Sequence, residues 1–231
     1  MLRESRRLRR PLLRLALVFC LALAACSDGP RRSASGSYTV RAGDTLYSIA
    51  WRHGLDYHEL ARLNHIGRDY AISVGQTLQL SAGTTLAAAV PPRALPAAPA
   101  LPALPVTPAP AWLWPADGAV VTTRRQPTGG LGLEIAADAG AAVRAAANGR
   151  VVYRGAGLRG YGELVIVKHD DAWLTAYGYN RDVLVHEGDS VGVGQRIASV
   201  GAGPGGRPLL YFEIRLNGRP VDPLAQLPAR R

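Results

Sequence analysis

The sequence predicts a mainly β C-terminal domain of antiparallel strands, preceded by a small N-terminal β-α-α-β unit. In residues 112–228, strand-like runs recur between glycine-rich turns, and no long helical pattern interrupts them. Residues 37–81 instead place apolar residues at helical spacing between two short strand-like runs. The predicted strands of the C-terminal domain are residues 131–136, 143–147, 150–153, 163–168, 173–177, 195–200 and 209–215.

Residues 1–25 have the composition of a targeting segment. Arginines precede an apolar run over residues 15–23, which is shorter than the roughly 20 apolar residues that a membrane-spanning helix needs. The run ends in LAAC (residues 23–26), which resembles the bacterial lipobox. The resemblance implies a signal peptide cleaved before Cys26, lipid attachment to that cysteine, and, with Ser27 next, an outer-membrane lipoprotein facing the periplasm. The alternative is an ordinary signal peptide followed by an incidental cysteine.

The charge distribution bears on the class of partner. The formal net charge is +10, and six arginines and one glutamate give residues 1–25 a charge of +5. The other +5 is spread along the chain without the basic stripe that is typical of nucleic-acid-binding proteins, so we expect no nucleic-acid partner. A diffuse positive charge suits an anionic envelope polymer or a lipid surface.

The N-terminal unit, residues 37–81, has the local signals of two short helices between two strands. Apolar residues at i, i+3 and i+4 spacing from Leu46 predict the first helix, which Asp44 or Thr45 can cap. The second helix is predicted to begin near Asp56. A closing strand follows, which gives the β-α-α-β order.

Three motifs of this unit occur in the order found in LysM domains: YTVRAGDTL (38–46), NHI (64–66) and VGQTL (74–78). The unit therefore resembles a LysM domain, which implies binding of glycans that contain N-acetylglucosamine, here peptidoglycan. Backbone groups of two loops would hydrogen-bond the acetamido groups, while Leu46 and Ile66 would pack on the sugar. The alternative is that Gly43 and Asn64 only form turns. The implied glycan-binding residues are Gly43, Asp44, Thr45, Leu46, Asn64 and Ile66.

Two segments are predicted to be linkers. Residues 26–36 are rich in Ser, Gly, Pro and Arg, which is typical of a flexible tether. Residues 82–111 hold eight of the seventeen prolines among Ala, Leu and Thr, a composition that favours extended polyproline II over a packed core. We interpret this Ala/Pro-rich segment as a spacer that reaches about 90 Å at ~3.1 Å per residue. A proline-motif ligand for a small adaptor is the alternative.

The C-terminal domain carries a series of motifs in the order of the lysostaphin-type zinc peptidases, which it resembles throughout its length. The matching pieces include GAAVRAA (140–146), GRVVY (149–153), GYG (160–162), EGDSV (187–191) and LLYFE (209–213). In that family the last of these strands reads HLHFE, in which the second histidine binds zinc and the first assists catalysis. The resemblance implies the same antiparallel β fold for this domain.

The residues that the resemblance assigns to the active site are not those of a zinc peptidase. The five corresponding positions hold Gly130, Glu134, Tyr179, Leu209 and Tyr211. Glycine and leucine have no metal donor, and a tyrosine must lose a proton with a pKa near 10 before it binds zinc. A catalytic zinc normally needs three protein ligands and an open water position. We therefore expect a catalytically degenerate domain with no metal and no cofactor.

The replacing residues suggest a second use of the same cleft. Tyr179, Leu209 and Tyr211 are expected to line it with amphipathic and apolar surface, and tyrosine is a common anchor at protein interfaces. A partner-binding groove is one interpretation of these positions. The other is that the three side chains only fill the space that the metal site leaves.

The combined architecture resembles the NlpD family of murein hydrolase activators. The resemblance implies a non-enzymatic, lipid-anchored envelope protein that binds peptidoglycan and activates a periplasmic N-acetylmuramoyl-L-alanine amidase during septal wall splitting in cell division. The alternatives from other classes are a zinc-dependent peptidoglycan endopeptidase, which the replaced ligands disfavour, and a passive wall-binding lipoprotein.

Overall fold

The structure is a computed structural model of the chain, and it describes residues 36–81, 108–125 and 131–230. The predicted lipid-attachment site Cys26, the tether up to residue 35, most of the Ala/Pro-rich segment and Gly130 lie outside the described residues. The described residues from Gly36 onward belong to one compact unit. In the described part of the chain, no helix is long and apolar enough to cross a membrane.

The N-terminal unit has the predicted β-α-α-β order. Its elements are β1 (Ser37–Thr39), α1 (Leu46–His53), α2 (Tyr57–Leu63) and β2 (Thr77–Gln79), and β1 pairs antiparallel with β2. Thr45 caps α1 because its side chain accepts a hydrogen bond from the Ser48 backbone, while the Ser48 side chain accepts one from Thr45. Helix α2 begins near Asp56, as predicted, and the Asp56 side chain caps it by accepting hydrogen bonds from the backbone N–H groups of His58 and Glu59.

The C-terminal domain is an antiparallel β fold, as predicted. Its elements are β3 (Ala119–Arg125), β4 (Leu131–Ala136), β5 (Ala142–Arg144), β6 (Gly149–Gly155), β7 (Glu163–Lys168), β8 (Trp173–Val183), β9 (Ser190–Val191), β10 (Arg196–Val200), β11 (Leu209–Leu216), β12 (Arg219–Val221) and the short helix α3 (Pro223–Gln226). The main path of the sheet is β3-β4-β11-β8-β7-β6-β9, so β11 lies between β4 and β8. Strand β10 pairs with β5 and β8 beside this path.

The predicted strands differ from the observed ones at a few places. Strand β5 ends at Arg144 rather than at residue 147, and β8 continues to Val183 rather than ending at residue 177. Strand β3 was not predicted. Within the part of the chain that the structure describes, it pairs with β4 alone. Its residues Val121, Thr122 and Thr123 are exposed, so it lacks the alternation of buried and exposed residues that marks a half-buried strand.

The two faces of β11 have different surroundings. Leu210, Phe212 and Ile214 point into an apolar core shared with β4, β5 and β10. Leu209, Tyr211, Glu213 and Arg215 point to the opposite face, which we call the covered face. All four residues are buried there.

The LysM unit packs directly against the covered face. The Arg215 guanidinium lies 3.5 Å from the centre of the Trp51 ring, and its Nη1 donates to the Trp51 carbonyl at 3.3 Å. The Tyr57 hydroxyl donates to the carbonyl of Asp171 at 3.0 Å. The two units are thus in contact, although the Ala/Pro-rich segment is long enough to separate them.

Candidate functional site

Strand β11 carries two of the positions that the peptidase resemblance assigns to the active site. Tyr211 pairs with Glu134 on β4 and with Gly178 on β8, and Tyr179 follows Gly178 along β8. Leu209 lies two residues before Tyr211 on the same face. The fold therefore brings Glu134, Tyr179, Leu209 and Tyr211 together, as the resemblance implies, and Gly130 is the position that the structure does not describe.

These side chains do not line an open cleft. The exposed fraction is 0% for Tyr211, 3% for Leu209 and 7% for Tyr179. The expectation of an accessible partner-binding surface at these three residues is therefore wrong. Removing their aromatic and aliphatic groups from water is favourable. The three side chains pack together with Leu158 and Tyr161 of the loop between β6 and β7.

Glycine on the neighbouring strand creates the space that Tyr211 fills. A Cβ atom at Gly132 would lie 2.4 Å from the Tyr211 ring, so no other residue fits there without displacing the ring. The ring also packs edge-to-face with Tyr161 at 5.3 Å and with Tyr179 at 6.2 Å between centroids. Tyr179 has a φ of +60°, and its hydroxyl donates to the Gly160 carbonyl at 2.8 Å, which ties the loop to β8.

The polar end of Tyr211 is part of a buried hydrogen-bond network. Its hydroxyl donates to Oε2 of Glu213 at 2.6 Å, and Nε of Arg215 donates to Oε1 of the same carboxylate at 2.6 Å. Burial and the neighbouring Glu213 charge both raise the pKa of Tyr211. Burial also raises the pKa of Glu213, against the opposing effect of Arg215. The network holds one charged pair at the centre of the covered face.

A zinc ion, the metal of the resembling peptidases, does not fit the residues at these positions. Leu209 has no donor atom, and the Tyr211 hydroxyl is already engaged with Glu213. The raised pKa of Tyr211 disfavours the phenolate that would bind a metal. Over the ranges that the structure describes, no three His, Cys, Asp or Glu side chains are grouped to hold a metal ion.

His169, at the end of β7, has a structural environment. Its Nδ1 lies 2.8 Å from the Asn148 carbonyl, and its Nε2 lies 2.8 Å from Oγ1 of Thr175. Thr175 in turn hydrogen-bonds the hydroxyl of Tyr177 at 2.9 Å. Burial lowers the pKa of His169, which favours the neutral ring.

In the LysM unit, the structure contradicts one expected sugar contact. Leu46 is 1% exposed because it lies on the buried face of α1, so its side chain cannot pack on a glycan. Ile66 is half-buried, and its expected contact stays a prediction. The expectation that Gly43 and the neighbouring loop backbone bind acetamido groups also stays a prediction.

The polar side chains of the predicted groove have intramolecular partners. Asp44 accepts hydrogen bonds from the Tyr38 hydroxyl at 2.6 Å and from the Arg41 backbone at 2.9 Å. Asn64 donates to the carbonyls of Leu60 and Gln79 and accepts from the Gln79 backbone. These side chains, with the cap Thr45, fix the shape of the two loops.

Two residues beside these loops were missed by the sequence reasoning. Tyr47 and Tyr70 form an aromatic cluster with Tyr57, with ring centroids 4.6–5.7 Å apart. Tyr70 has a φ of +54°, a backbone conformation that a bulky residue rarely adopts. The available signal was the presence of aromatic residues next to both loops of the implied groove.

Comparison with known proteins agrees with this two-part architecture. The family model described as LysM domain matches residues 38–81, and the one described as Peptidase family M23 matches residues 128–223. A zinc-containing peptidase from Vibrio cholerae is a similar solved structure, with a TM-score of 0.45 and 30% identity over 52% of this chain and 41% of that chain. The two family-model matches alone identify a LysM domain followed by an M23 peptidase-type domain.

Two relatives match most of the chain. A lipoprotein NlpD/LppB homolog from Pseudomonas aeruginosa is 42% identical, over 94% of this chain and 91% of the relative. The murein hydrolase activator NlpD from Escherichia coli K12 is 36% identical, over 87% of this chain and 70% of the relative. The chain therefore belongs to the NlpD family of lipoproteins.

Proposed function

We propose that the chain is a non-enzymatic envelope lipoprotein that binds peptidoglycan through its LysM unit and activates a periplasmic N-acetylmuramoyl-L-alanine amidase during septal wall splitting. The name of a relative, murein hydrolase activator, supports the activator role. The LysM match supports the peptidoglycan role.

The observation that carries the non-enzymatic part is the chemistry of β11. The strand that resembles the catalytic strand of zinc peptidases presents Leu209 and a buried, hydrogen-bonded Tyr211. Without a metal ligand set there is no means at this site to lower the pKa of a water or to polarise a peptide carbonyl as zinc does. An activator needs neither property. It shifts the amidase toward its active state by binding that state more tightly.

A dye-release assay tests the proposal. The full chain, purified in detergent, is incubated with dye-labelled peptidoglycan sacculi alone, with the amidase, or with both added together. The proposal predicts no release by the chain alone and a release by the mixture well above that of the amidase alone. A passive wall-binding lipoprotein would leave the amidase rate unchanged. An endopeptidase would release dye without the amidase, and a chelator would abolish that release.

The lipid anchor and the outer-membrane location belong to the same proposal. Relatives are named lipoproteins, which supports lipid attachment at Cys26. Metabolic labelling with a palmitate analogue should mark the wild-type protein and not the Cys26→Ala variant. Labelling of both proteins to the same extent would contradict attachment at this cysteine.

A further inference from the structure

The LysM unit and the C-terminal domain enclose a groove of about 460 Å³ where they meet. Its LysM side is formed by Tyr47, Arg68 and Tyr70, and its C-terminal side includes Arg150 and Lys168. This volume is in the usual range of small-ligand sites, which is ~300–1,000 Å³. The groove exists only because the two units are in contact, and neither family match assigns it a role.

The LysM side of the groove is aromatic and is held in place by strained backbone. Tyr47 and Tyr70 meet edge-to-face with ring centroids 5.7 Å apart. The positive φ of Tyr70 persists because the ring packs against Tyr57 at 5.2 Å. Strain of this kind concentrates at binding sites, where the backbone must hold a side chain in one direction. Aromatic faces suit the apolar faces of sugar rings.

The C-terminal side of the groove concentrates positive charge. Arg150 on β6 pairs directly with Lys168 on β7, and like charges in directly opposite positions of a sheet repel each other. Lys168 is compensated by Asp171, 2.7 Å from its Nζ. Among the described residues, the Arg150 guanidinium donates only to the Gly188 carbonyl, at 2.9 Å. Arg150 therefore keeps donors and charge available for an anionic group.

The groove is also lined by two carboxylates, Asp69 and Asp170, against the three cations Arg68, Arg150 and Lys168, so a formal excess of one positive charge remains. Asp170 accepts hydrogen bonds through Oδ1 from the backbone N–H groups of Ala172 and Trp173, at 2.7 and 2.8 Å. These two hydrogen bonds hold the Asp170 carboxylate against the backbone of its own turn. Arg68, on the LysM side, is exposed and adds a second guanidinium at the groove. Planar guanidinium groups bind carboxylates in a bidentate manner, which distinguishes them from a generic positive surface.

We propose that this groove binds the peptide-bearing part of peptidoglycan: the tyrosines contact the sugar, and Arg68 and Arg150 bind carboxylates of the stem peptide. The inference rests on the proposed peptidoglycan binding and extends it in one respect. Recognition of the wall polymer is then shared by the LysM unit and the C-terminal domain, and it distinguishes glycan that still carries stem peptides from glycan that has lost them.

Soluble glycan strands of equal length, with and without their stem peptides, test the proposal. The full chain in detergent should bind the peptide-bearing strands more tightly. The Arg68→Ala/Arg150→Ala double variant should lose about tenfold in affinity for them, as expected for two charge-assisted contacts at an exposed site. Its affinity for peptide-free strands should change by no more than about twofold. That second measurement also reports whether the LysM unit is intact.

The Arg62→Ala/Arg207→Ala double variant is the matched control, since it removes one exposed arginine from each domain outside the groove. It should bind both strands like the wild type. Equal losses of affinity in the two double variants would mean that net charge alone accounts for the effect, and would overturn the inference. Equal binding of both strands by the wild type would also overturn it. The proposed LysM function stands in those two cases. Failure to bind either strand would overturn the proposed function as well.

Discussion

Tyr211 and Gly132 are complementary residues on neighbouring strands. The tyrosine ring takes the volume that a side chain at residue 132 would occupy, and the hydroxyl satisfies one oxygen of the buried Glu213 carboxylate. Both effects stabilise the fold rather than a catalytic step. Substitutions at the positions that resemble an active site should therefore act first by lowering the free energy of unfolding.

Replacing Tyr211 by alanine should lower the free energy of unfolding by about 3–5 kcal/mol, because it leaves a cavity in the covered face. Tyr211→Phe keeps the ring and removes only the hydrogen bond to Glu213, so it should cost about 1.5–3 kcal/mol. Chemical denaturation measures both. Wild-type stability in Tyr211→Ala would contradict the buried packing of this ring.

His169 should make the stability of the domain depend on pH. Its pKa in the folded protein is lowered by burial from 6.5, so below that pH the unfolded chain binds a proton that the folded chain does not. The stabilising effect of the neutral ring is complete about one pH unit above 6.5, declines as the unfolded chain takes up its proton, and is lost as the pH falls toward the folded pKa. The free energy of unfolding should therefore drop between about pH 7.5 and about pH 5.5.

The His169→Gln variant should show a smaller drop over the same interval, because the titrating ring is gone. His186→Gln is the matched substitution control, at a histidine whose side chain is 78% exposed. An identical pH dependence in wild type and His169→Gln would contradict the role assigned to the buried ring.

At the level of elements, several strands could be predicted from sequence because their residues carry the signal locally. Strands β4, β7 and β11 are short apolar runs bounded by turns, and the LLYFE motif placed β11 in the family pattern. The edge strand β3 has no such signal. The burial of Tyr211 depends on Tyr161, which is far away in sequence, although a glycine inside β4 is a sign of close approach. The helical spacing of the apolar residues already placed Leu46 on the buried face of α1. This spacing argued against a contact between the Leu46 side chain and a sugar.

The contact between β11 and α1 centres on a buried ion pair. Glu213 is 0% exposed and Arg215 is 1% exposed, with Trp51 of α1 above the guanidinium. Removing one partner leaves a buried charge without compensation, so Glu213→Leu and Arg215→Met should each cost about 3–5 kcal/mol. The double variant should cost far less than the sum. Denaturation of all four proteins measures the coupling, and additive losses would show that the two charges do not depend on each other.

For the whole molecule, the main question is whether the LysM unit stays on the covered face. Gly218 lies at this contact with a φ of +71°, and a Cβ atom there would lie 2.6 Å from Cα of Asp56. Gly218→Val should therefore push the LysM unit away. Hydrogen exchange of residues 51–57 should become faster, because Trp51 and Tyr57 lose their contacts with Arg215 and Asp171.

Gly205→Val provides a matched control for this variant. Gly205 has a similar φ of +73°, with nothing within 4 Å of the added Cβ atom. Both variants carry the cost of a left-handed backbone, about 1–2 kcal/mol, and only Gly218→Val adds the clash. Equal exchange at residues 51–57 in the two variants would mean that backbone strain alone accounts for the change, and that the units do not touch as described.

The protein is proposed to promote cleavage of the cell wall by activating another enzyme rather than by hydrolysis of its own. Mass spectrometry of the fragments released from cross-linked sacculi tests this claim most directly. The chain alone should release no fragments, and the chain with the amidase should add only stem peptides freed from the glycan. Cleaved peptide cross-links produced by the chain alone, lost on chelation and accompanied by stoichiometric zinc in the purified protein, would contradict the claim.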